Sequence, residues 1–291
     1  MFLKNVFEYI FFLGFSYFFR LIGINASRKF AGLLAGLFYY VIPIRKETVI
    51  ANLKLAFPEY SEGRIKETAF GCYKSFAITL IEILCSVSFT KEDYLKSVEF
   101  KNDEMVLERY KRNKGIIIMT AHFGNWEMAS VAFGIKHNIT LYEIVKSQRN
   151  GYVSGWLNRC REKFGNKTIN LGISIRQIYA ALKEKHIVAL VADQRASRES
   201  IRVDFFGQST TVYEGPVVLS LKTGAPIIMG LVVRQKDYTY KVEWEEISQD
   251  NLPENQQEKI IELSQRHMRV LERYIRANPE QWLWMHKRWK Y

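Results

Sequence analysis

The chain has 291 residues, enough for one large domain or two modest ones, and 48% of them are hydrophobic while 25% are charged. This composition excludes a disordered or fibrous chain and indicates a globular body with a buried core. The net charge of +12 favours nucleic acid, lipid headgroups or acidic proteins as partners. The three cysteines show no Cys-x-x-Cys or Cys/His spacing, which argues against a disulfide scaffold and against a structural zinc site.

The N-terminus is rich in aromatic residues and apolar over residues 6–24, with Glu8 and Arg20 near the two ends of the run. Nineteen helical residues cover roughly 28 Å, about one hydrocarbon core, so this run is nearly a membrane-spanning helix. A second run, residues 30–44, is too short to cross comfortably and predicts a buried or interfacial helix. A cleaved signal peptide and a pair of core helices of a soluble protein are the alternatives. Basic residues that follow the first run predict that the bulk of the chain lies in the cytoplasm.

The rest of the chain shows no repeat, low-complexity tract or linker that would divide it. We therefore predict an N-terminal membrane element over residues 1–45 and one catalytic domain over residues 46–291. Within that domain, residues 61–88 have helical periodicity, and residues 91–112 predict a charged helix or loop that leads into a short strand.

Buried strands and helices then alternate. Apolar runs predict strands at residues 115–120, 140–145, 187–192 and 225–233. Helices are predicted at residues 126–133, 152–164, 175–185 and 254–278, the last one stopped by Pro279. This alternation predicts an α/β fold with a largely parallel or mixed sheet flanked by helices.

The candidate catalytic residues follow the first of these strands, where residues 121–127 read AHFGNWE. His122 and Glu127 would lie about 140° apart on one continuous helix, so they can meet only across a turn. Gly124 permits that turn, and Asn125 is a good N-cap for a helix that would keep Glu127 ionised in its first turn. We expect Glu127 to hold one imidazole nitrogen of His122 while the other nitrogen takes a proton from a substrate hydroxyl. The amides at the helix start are candidates to face a developing oxyanion.

Other interpretations of this pattern are open. His122 and Glu127 could simply end the strand and begin the helix. A metal site is less favoured, because no third ligand is placed near the pair. A serine hydrolase is less favoured still, because the chain has no G-x-S-x-G elbow.

Several motifs in a fixed order resemble one known family, the late acyltransferases of lipid A biosynthesis, within the wider glycerolipid acyltransferase superfamily. The motifs are ANLKLAFPE at 51–59, AHFGNWE at 121–127, ADQ at 192–194, FFG at 205–207, GP at 215–216 and PEQWLWMHKRW at 279–289. The resemblance implies direct transfer of a fatty acyl chain from an acyl carrier protein thioester to a hydroxyl of a membrane glycolipid, without an acyl-enzyme and without a cofactor. It implies that His122 is the general base and Glu127 its orienting acid, at the cytoplasmic face of a bacterial inner membrane.

The resemblance also implies substrate-binding residues. Arg161 and Asp193 match residues of the family's later motifs, and arginine suits the phosphate of a glycolipid acceptor or of a donor arm. The predicted substrate-binding set is Gly124, Asn125, Lys146, Arg149, Arg161, Asp193, Gln194 and Arg195. The alternative for the basic members is a solvated surface. The chain departs from the family after ADQ, where Arg195 and Ala196 stand, and this leaves the acceptor open.

The C-terminal tryptophans Trp282, Trp284 and Trp289 either form an interfacial belt or close the core. The competing functions are an acyltransferase for a phosphatidylinositol mannoside, a lysophospholipid or an aminolipid, and a non-catalytic protein that binds anionic membranes. Nothing in the sequence resembles a nucleic-acid recognition element, so we expect no nucleic-acid partner.

Overall fold

A computed structural model describes residues 2–112, 114–172 and 175–290. Met1, where the predicted membrane element begins, and Tyr291, where the predicted catalytic domain ends, lie outside the described residues. The helices are α1 (Phe2–Ile22), α2 (Ile24–Gly36), α3 (Lys46–Ala56), α4 (Glu62–Cys85), α5 (Lys91–Ser97), α6 (Glu104–Lys111), α7 (Trp126–His137), α8 (Gly151–Glu162), α9 (Ile175–Lys183), α10 (Gly215–Thr223) and α11 (Gln256–Ala277). The strands are β1 (Val98–Lys101), β2 (Ile116–Thr120), β3 (Leu141–Val145), β4 (Lys167–Asn170), β5 (Ile187–Val191), β6 (Arg202–Phe205), β7 (Gln208–Thr211), β8 (Ile227–Arg234) and β9 (Tyr240–Glu246).

Seven strands of the described ranges form one mixed sheet in the order β1-β9-β8-β2-β5-β3-β4. The pairings from β8 through β2, β5 and β3 to β4 are parallel, and β8 pairs antiparallel with β9. Strands β6 and β7 form a separate antiparallel hairpin. The predicted α/β class with a largely parallel or mixed sheet is therefore confirmed.

Strand β2 lies in the middle of the sheet, and its side chains alternate between two apolar layers. Ile117 and Met119 pack into a large core with residues of α3, α4 and α11, whereas Ile116 and Ile118 pack into a second core with residues of α7. Because helices cover both faces, every position of the strand from Ile116 to Met119 is buried. This explains why the strand reads as a continuous apolar run rather than as an alternating one.

The N-terminal apolar segment differs from its predicted boundaries. One helix ends at Ile22, Gly23 breaks the chain with a φ of +80°, and α2 begins at Ile24. A π-helical turn over Leu37–Val41 follows α2 before Pro43. The break at Gly23 therefore lies inside the first predicted run, 6–24, and α2 begins six residues before the second predicted run, 30–44.

The four predicted strands are present, each end lying within two residues of its expected position. The sequence analysis missed α3, β4, the β6/β7 hairpin, α10 and β9, and the segment 91–112, predicted as a helix or loop, is divided by β1 into α5 and α6. These missed strands carry mostly polar side chains or lie at or near a sheet edge, so they lack the apolar run by which the others were identified.

Candidate active site

The turn after β2 is built as its residue types require. Gly124 has a φ of +58°, and a Cβ on it would lie 2.0 Å from the carbonyl oxygen of Val232, so only glycine fits. Asn125 caps α7, its Oδ1 accepting from the Met128 amide at 3.0 Å. The predicted turn and N-cap are both confirmed.

His122 lies two residues beyond β2 and is held by Asp193, which lies two residues beyond the neighbouring strand β5. Its Nδ1 is 2.8 Å from Asp193 Oδ1, and its backbone amide donates to Asp193 Oδ2 at 2.9 Å. The Asp193 side chain is 2% exposed, whereas that of His122 is 23% exposed. The arrangement leaves Nε2 as the ring nitrogen that is not bound to the carboxylate.

The C-terminal segment closes the site from the other side. Trp282 Nε1 donates to Asp193 Oδ2 at 2.8 Å. The Leu283 amide donates to the His122 carbonyl at 3.0 Å, and the Gly124 amide donates to the Gln281 carbonyl at 3.2 Å. Trp282 and Trp284 are buried, so these two tryptophans close the core instead of forming an exposed belt.

The charges of neighbouring groups favour the ionised forms of both His122 and Asp193. Burial lowers the pKa of His122, but the Asp193 carboxylate, and at longer range that of Glu127, outweigh burial and raise this pKa above 6.5. Burial raises the pKa of Asp193, but the contacts with His122 and Trp282 outweigh it and leave this pKa below 3.8. Asp193 is therefore an anion that favours a proton on the imidazole.

Glu127 does not hold His122 as expected. Its carboxylate accepts two parallel hydrogen bonds from Arg161, Nε to Oε2 at 2.7 Å and Nη2 to Oε1 at 2.5 Å. The cause is the position of Glu127 in the first turn of α7, from which the side chain reaches the last turn of α8. Glu127 acts on His122 through its charge, and the orienting contact at Nδ1 belongs to Asp193.

Arg161 is correspondingly engaged inside the protein. Its Nη1 also donates to Asn158 Oδ1 at 2.9 Å, and its side chain is 14% exposed. The two-pronged face that was expected to bind phosphate is therefore occupied by Glu127. Asp193 likewise faces His122 instead of a substrate group.

A second carboxylate, Glu143 of β3, lies behind this ion pair, with Oε2 at 3.8 Å from Arg161 Nε. Its Oε1 accepts from Ser130 at 2.6 Å and from Asn166 at 2.8 Å. Burial, and then the negative charge of Glu127, raise the pKa of Glu143 from 4.5 to about 7. Two carboxylates thus share one guanidinium in a buried cluster.

The other predicted binding residues are spread around the site. Lys146 and Arg149 are exposed in the loop after β3, and Arg149 pairs with Glu8 of α1 at 2.8 Å. Gln194 and Arg195 are half-buried beyond Asp193. The charge of Arg195, after burial, contributes to lowering the pKa of His286 to about 4.

A fully buried carboxylate fastens the turn to the N-terminal helices. Glu82 of α4 accepts from Arg28 Nε at 2.8 Å through Oε1 and from Asn125 Nδ2 at 2.8 Å through Oε2, which also accepts from the Tyr240 hydroxyl. Both ends of the Asn125 side chain are thereby bound inside the protein, Oδ1 to the Met128 amide and Nδ2 to Glu82. Asn125 supports the turn and does not reach outward to a substrate.

Two cavities flank the turn. One is a partly open pocket of about 190 Å³ beside His122, a volume that includes solvent-open space, and its lining includes Phe76, Trp126, Trp282 and Leu283. The other is a partly open pocket of about 340 Å³, a volume that likewise includes solvent-open space, beside Glu127 and Arg161, and it is otherwise lined mostly by apolar side chains. Among the described residues, no group of three or more His, Cys, Asp or Glu side chains is placed to hold a metal ion.

Sequence reasoning missed Trp282 as a partner of Asp193, and it missed Glu82 and Glu143. The tryptophan lies far along the chain from the residues it contacts. The two glutamates are single acidic residues in apolar stretches, which is the only signal the sequence offered for them.

Sequence comparison with known proteins covers nearly the whole chain. A family model described as bacterial lipid A biosynthesis acyltransferase matches residues 3–291. The lipid A biosynthesis palmitoleoyltransferase of Escherichia coli is 22% identical over 250 residues, which cover 84% of this chain and 79% of the relative. The lipid A biosynthesis lauroyltransferase of the same organism is 23% identical over 252 residues, with the same shares covered.

A shorter match joins the chain to a second group. The phosphatidylinositol mannoside acyltransferase of Mycobacterium tuberculosis is 26% identical over 118 residues, 39% of this chain and 37% of the relative. Acyltransferases of lipid A biosynthesis and phosphatidylinositol mannoside acyltransferases thus both share sequence with this chain.

Proposed function

The chain belongs to the bacterial lipid A biosynthesis acyltransferase family and is an acyltransferase, and on that premise we propose that it acylates a hydroxyl of a lipid A-type glycolipid. The proposed donor is an acyl thioester of acyl carrier protein, whose docking the net charge of +12 favours if the carrier is acidic. The observation that carries the proposal is the ion pair of His122 with Asp193, 2.8 Å apart, beside a cleft.

In the proposed reaction, His122 Nε2 accepts the proton of the acceptor hydroxyl as its oxygen attacks the thioester carbonyl. Asp193 stays ionised and accepts a hydrogen bond from the Nδ1–H group, which fixes the tautomer and stabilises the imidazolium that forms. The tetrahedral intermediate then collapses, the carbon–sulfur bond breaks, and the imidazolium returns its proton to the thiolate. One ester forms and one thioester is consumed, so no acyl-enzyme is required.

The developing oxyanion is assigned to the start of α7. The first-turn amides of a helix lack intrahelical partners and carry the positive end of its dipole. Asn125 already uses the Met128 amide, so the amides before it are the candidates. In this scheme Glu127 and Arg161 hold the first turn of α7 in place and add negative charge near His122.

Phosphate recognition is proposed for basic residues at the rim. Lys146 follows β3 and Arg195 follows β5, so both lie at the carboxyl-terminal end of the parallel strands, where His122 also lies. Parallel α/β sheets bind ligands at this end of their strands. Gln194 is a candidate for hydrogen bonding to the same acceptor.

The proposed location is the cytoplasmic face of the bacterial inner membrane, with residues 1–45 as the membrane element and residues 46–291 as the catalytic domain. The role of the relatives in lipid A biosynthesis and the apolar character of α1 support this placement.

The acceptor has one specific rival, a phosphatidylinositol mannoside, because acyltransferases for that lipid match 118 residues of this chain. A direct test offers the purified full chain each acceptor with acyl carrier protein or coenzyme A thioesters and measures the products by mass spectrometry. We expect the parent chain to transfer acyl groups from the carrier protein to the lipid A precursor, and we expect no transfer by H122A. Binding of anionic lipid without any transfer would instead indicate a non-catalytic membrane protein.

A further inference from the structure

Helix α1 has two opposite faces. Residues spaced three or four apart along one side are covered or half-covered by the rest of the protein: Asn5, Glu8, Tyr9, Phe12, Ser16 and Phe19. Large apolar side chains on the other side are exposed by 61% to 80%: Leu3, Phe7, Ile10, Phe11 and Leu21. At 100° per residue the centres of the two sets lie about 180° apart. We call the second set the lipid face.

The covered side meets polar groups in its N-terminal half. Glu8 pairs with Arg149 at 2.8 Å, and the Asn5 carbonyl accepts from Asn150 Nδ2 at 2.8 Å. Arg149 and Asn150 directly precede α8. The last turn of that helix and the residue after it are mostly charged, from Arg159 to Lys163.

The contacts continue along the rest of the helix. The rings of Phe12 and Trp156 meet edge to face with centroids 5.0 Å apart. Ser16 Oγ donates to the Leu84 carbonyl of α4 at 2.7 Å, and Phe19 is 1% exposed. The helix is therefore fastened to the catalytic body from one end to the other.

This attachment is incompatible with a helix that crosses a bilayer. By length and composition, α1 and the segment Glu62–Ser88 are each able to span a membrane. Half of the most apolar part of the second segment is buried inside the protein. If α1 crossed, its covered side would carry Arg149 and the charged positions of α8 into hydrocarbon, where ionised side chains are strongly disfavoured.

We propose that α1 lies in the plane of an anionic bilayer surface with its lipid face inserted, so that its N-terminus stays on the same side as the catalytic body. Helices of this kind bury their apolar side by about 5–10 Å. Lys4 and Arg20, both exposed near the two helix ends, are placed to meet anionic headgroups, in line with the net charge of +12. This inference rests on the proposed membrane function and adds that the enzyme enters one leaflet only.

The first experiment tests topology. The full chain carries an epitope tag on a long flexible linker before its N-terminus, and protease is added to spheroplasts and to inverted inner-membrane vesicles. We expect the tag and the catalytic body to be cleaved together in inverted vesicles and both to be protected in spheroplasts. Cleavage of the tag from the outside of spheroplasts would overturn the proposal.

The second experiment tests the lipid face by flotation of purified protein with phosphatidylglycerol vesicles. The F7E/F11E double variant changes two side chains that are 73% and 63% exposed, so its fold should persist. We expect its partition coefficient to fall by at least about tenfold, because apolar burial drives interfacial binding. A matched control, L95E, alters a leucine that is 44% exposed on α5 and should bind within about twofold of the parent.

Equal binding of F7E/F11E and the parent, or no binding by the parent, would overturn the lipid face. Neither experiment measures acyl transfer. A chain that lies on the membrane as described but acylates no glycolipid would therefore contradict the proposed function and leave this inference standing.

Discussion

His122 and Asp193 occupy equivalent positions after two adjacent parallel strands. Thr120 ends β2 and Val191 ends β5, these two residues are paired in the sheet, and each member of the ion pair lies two residues farther on. The register of β2 and β5 thus places the two side chains opposite each other, with His122 Nδ1 and Asp193 Oδ1 2.8 Å apart, so the pair is held by two central strands of the sheet.

The first prediction concerns Asp193→Asn. The amide keeps the shape but loses the charge that raises the pKa of His122. A general base contributes on the order of 10²–10⁴ in rate, and we expect kcat to fall by a large part of that.

The base acts when neutral, so activity of the parent rises with pH through a pKa above 6.5. In the variant the residual activity should rise at lower pH, and a pH–rate profile measures the shift. An unmoved profile would show that Asp193 does not act on His122.

The second prediction is that His122→Ala abolishes transfer, with a loss on the order of 10²–10⁴. Vesicle flotation should match the parent because α1 is untouched, whereas the melting temperature should fall because the buried Asp193 carboxylate loses its ion-pair partner. The measurement is acyl transfer by the purified variant. Retention of more than about a tenth of parental activity, far above the expected loss, would contradict the role of general base.

The third prediction separates two roles for Arg161. Because its fork binds Glu127, Arg161→Lys should lose one of two charge-assisted hydrogen bonds, worth about 1.5–3 kcal/mol, or roughly 10- to 150-fold in kcat/KM. Arg161→Ala should be worse and melt at a lower temperature. The effect of Arg161→Ala should largely vanish when it is added to Glu127→Gln, as coupled residues in contact require. Fully additive losses would instead support a phosphate contact.

The fourth prediction is a pH dependence of stability. Glu143 has a folded-state pKa of about 7 against 4.5 when unfolded, so the folded protein binds more protons between these values. Its contribution to the free energy of unfolding is therefore present at low pH and is lost as pH rises from about 4.5 to 7. Glu143→Gln should flatten this part of a melting-temperature profile. An identical slope in both proteins would assign the dependence to other groups.

The fifth prediction concerns the turn. Gly124→Ala forces a Cβ to within 2.0 Å of the Val232 carbonyl at a φ of +58°, so we expect destabilisation of at least about 3 kcal/mol. The matched control is Gly63→Ala in the exposed first turn of α4, where the nearest atom would be 3.9 Å away and alanine should be neutral or stabilising. Denaturant unfolding compares the two, and similar midpoints would show that the backbone near Gly124 can shift.

The sequence was sufficient for the parts of the fold that short-range patterns determine. The apolar runs of β2, β5 and β8 indicated buried strands, and the resemblance identified the family that the comparisons show. Gly124 and Asn125 were assigned their local roles because a turn and an N-cap depend on neighbours in the chain.

The partner of His122 could not be predicted, because it depends on strand order. Both His122 and Asp193 were singled out, yet the sequence does not say that β5 lies next to β2, with β3 on its far side. Glu127, five residues away, was the nearest acid in sequence, and the direction of its side chain toward α8 depends on how the two helices pack. Long-range packing decided both assignments.

The contacts of residues 281–283 with the turn have a consequence for biosynthesis. Gln281, Trp282 and Leu283 bind Gly124, Asp193 and His122, although they are translated long after the turn itself. A nascent chain that has reached the membrane without this segment lacks three of the bonds that hold the ion pair. Catalytic competence should therefore emerge late in synthesis, which would keep unfinished chains from modifying lipids while they are still attached to ribosomes.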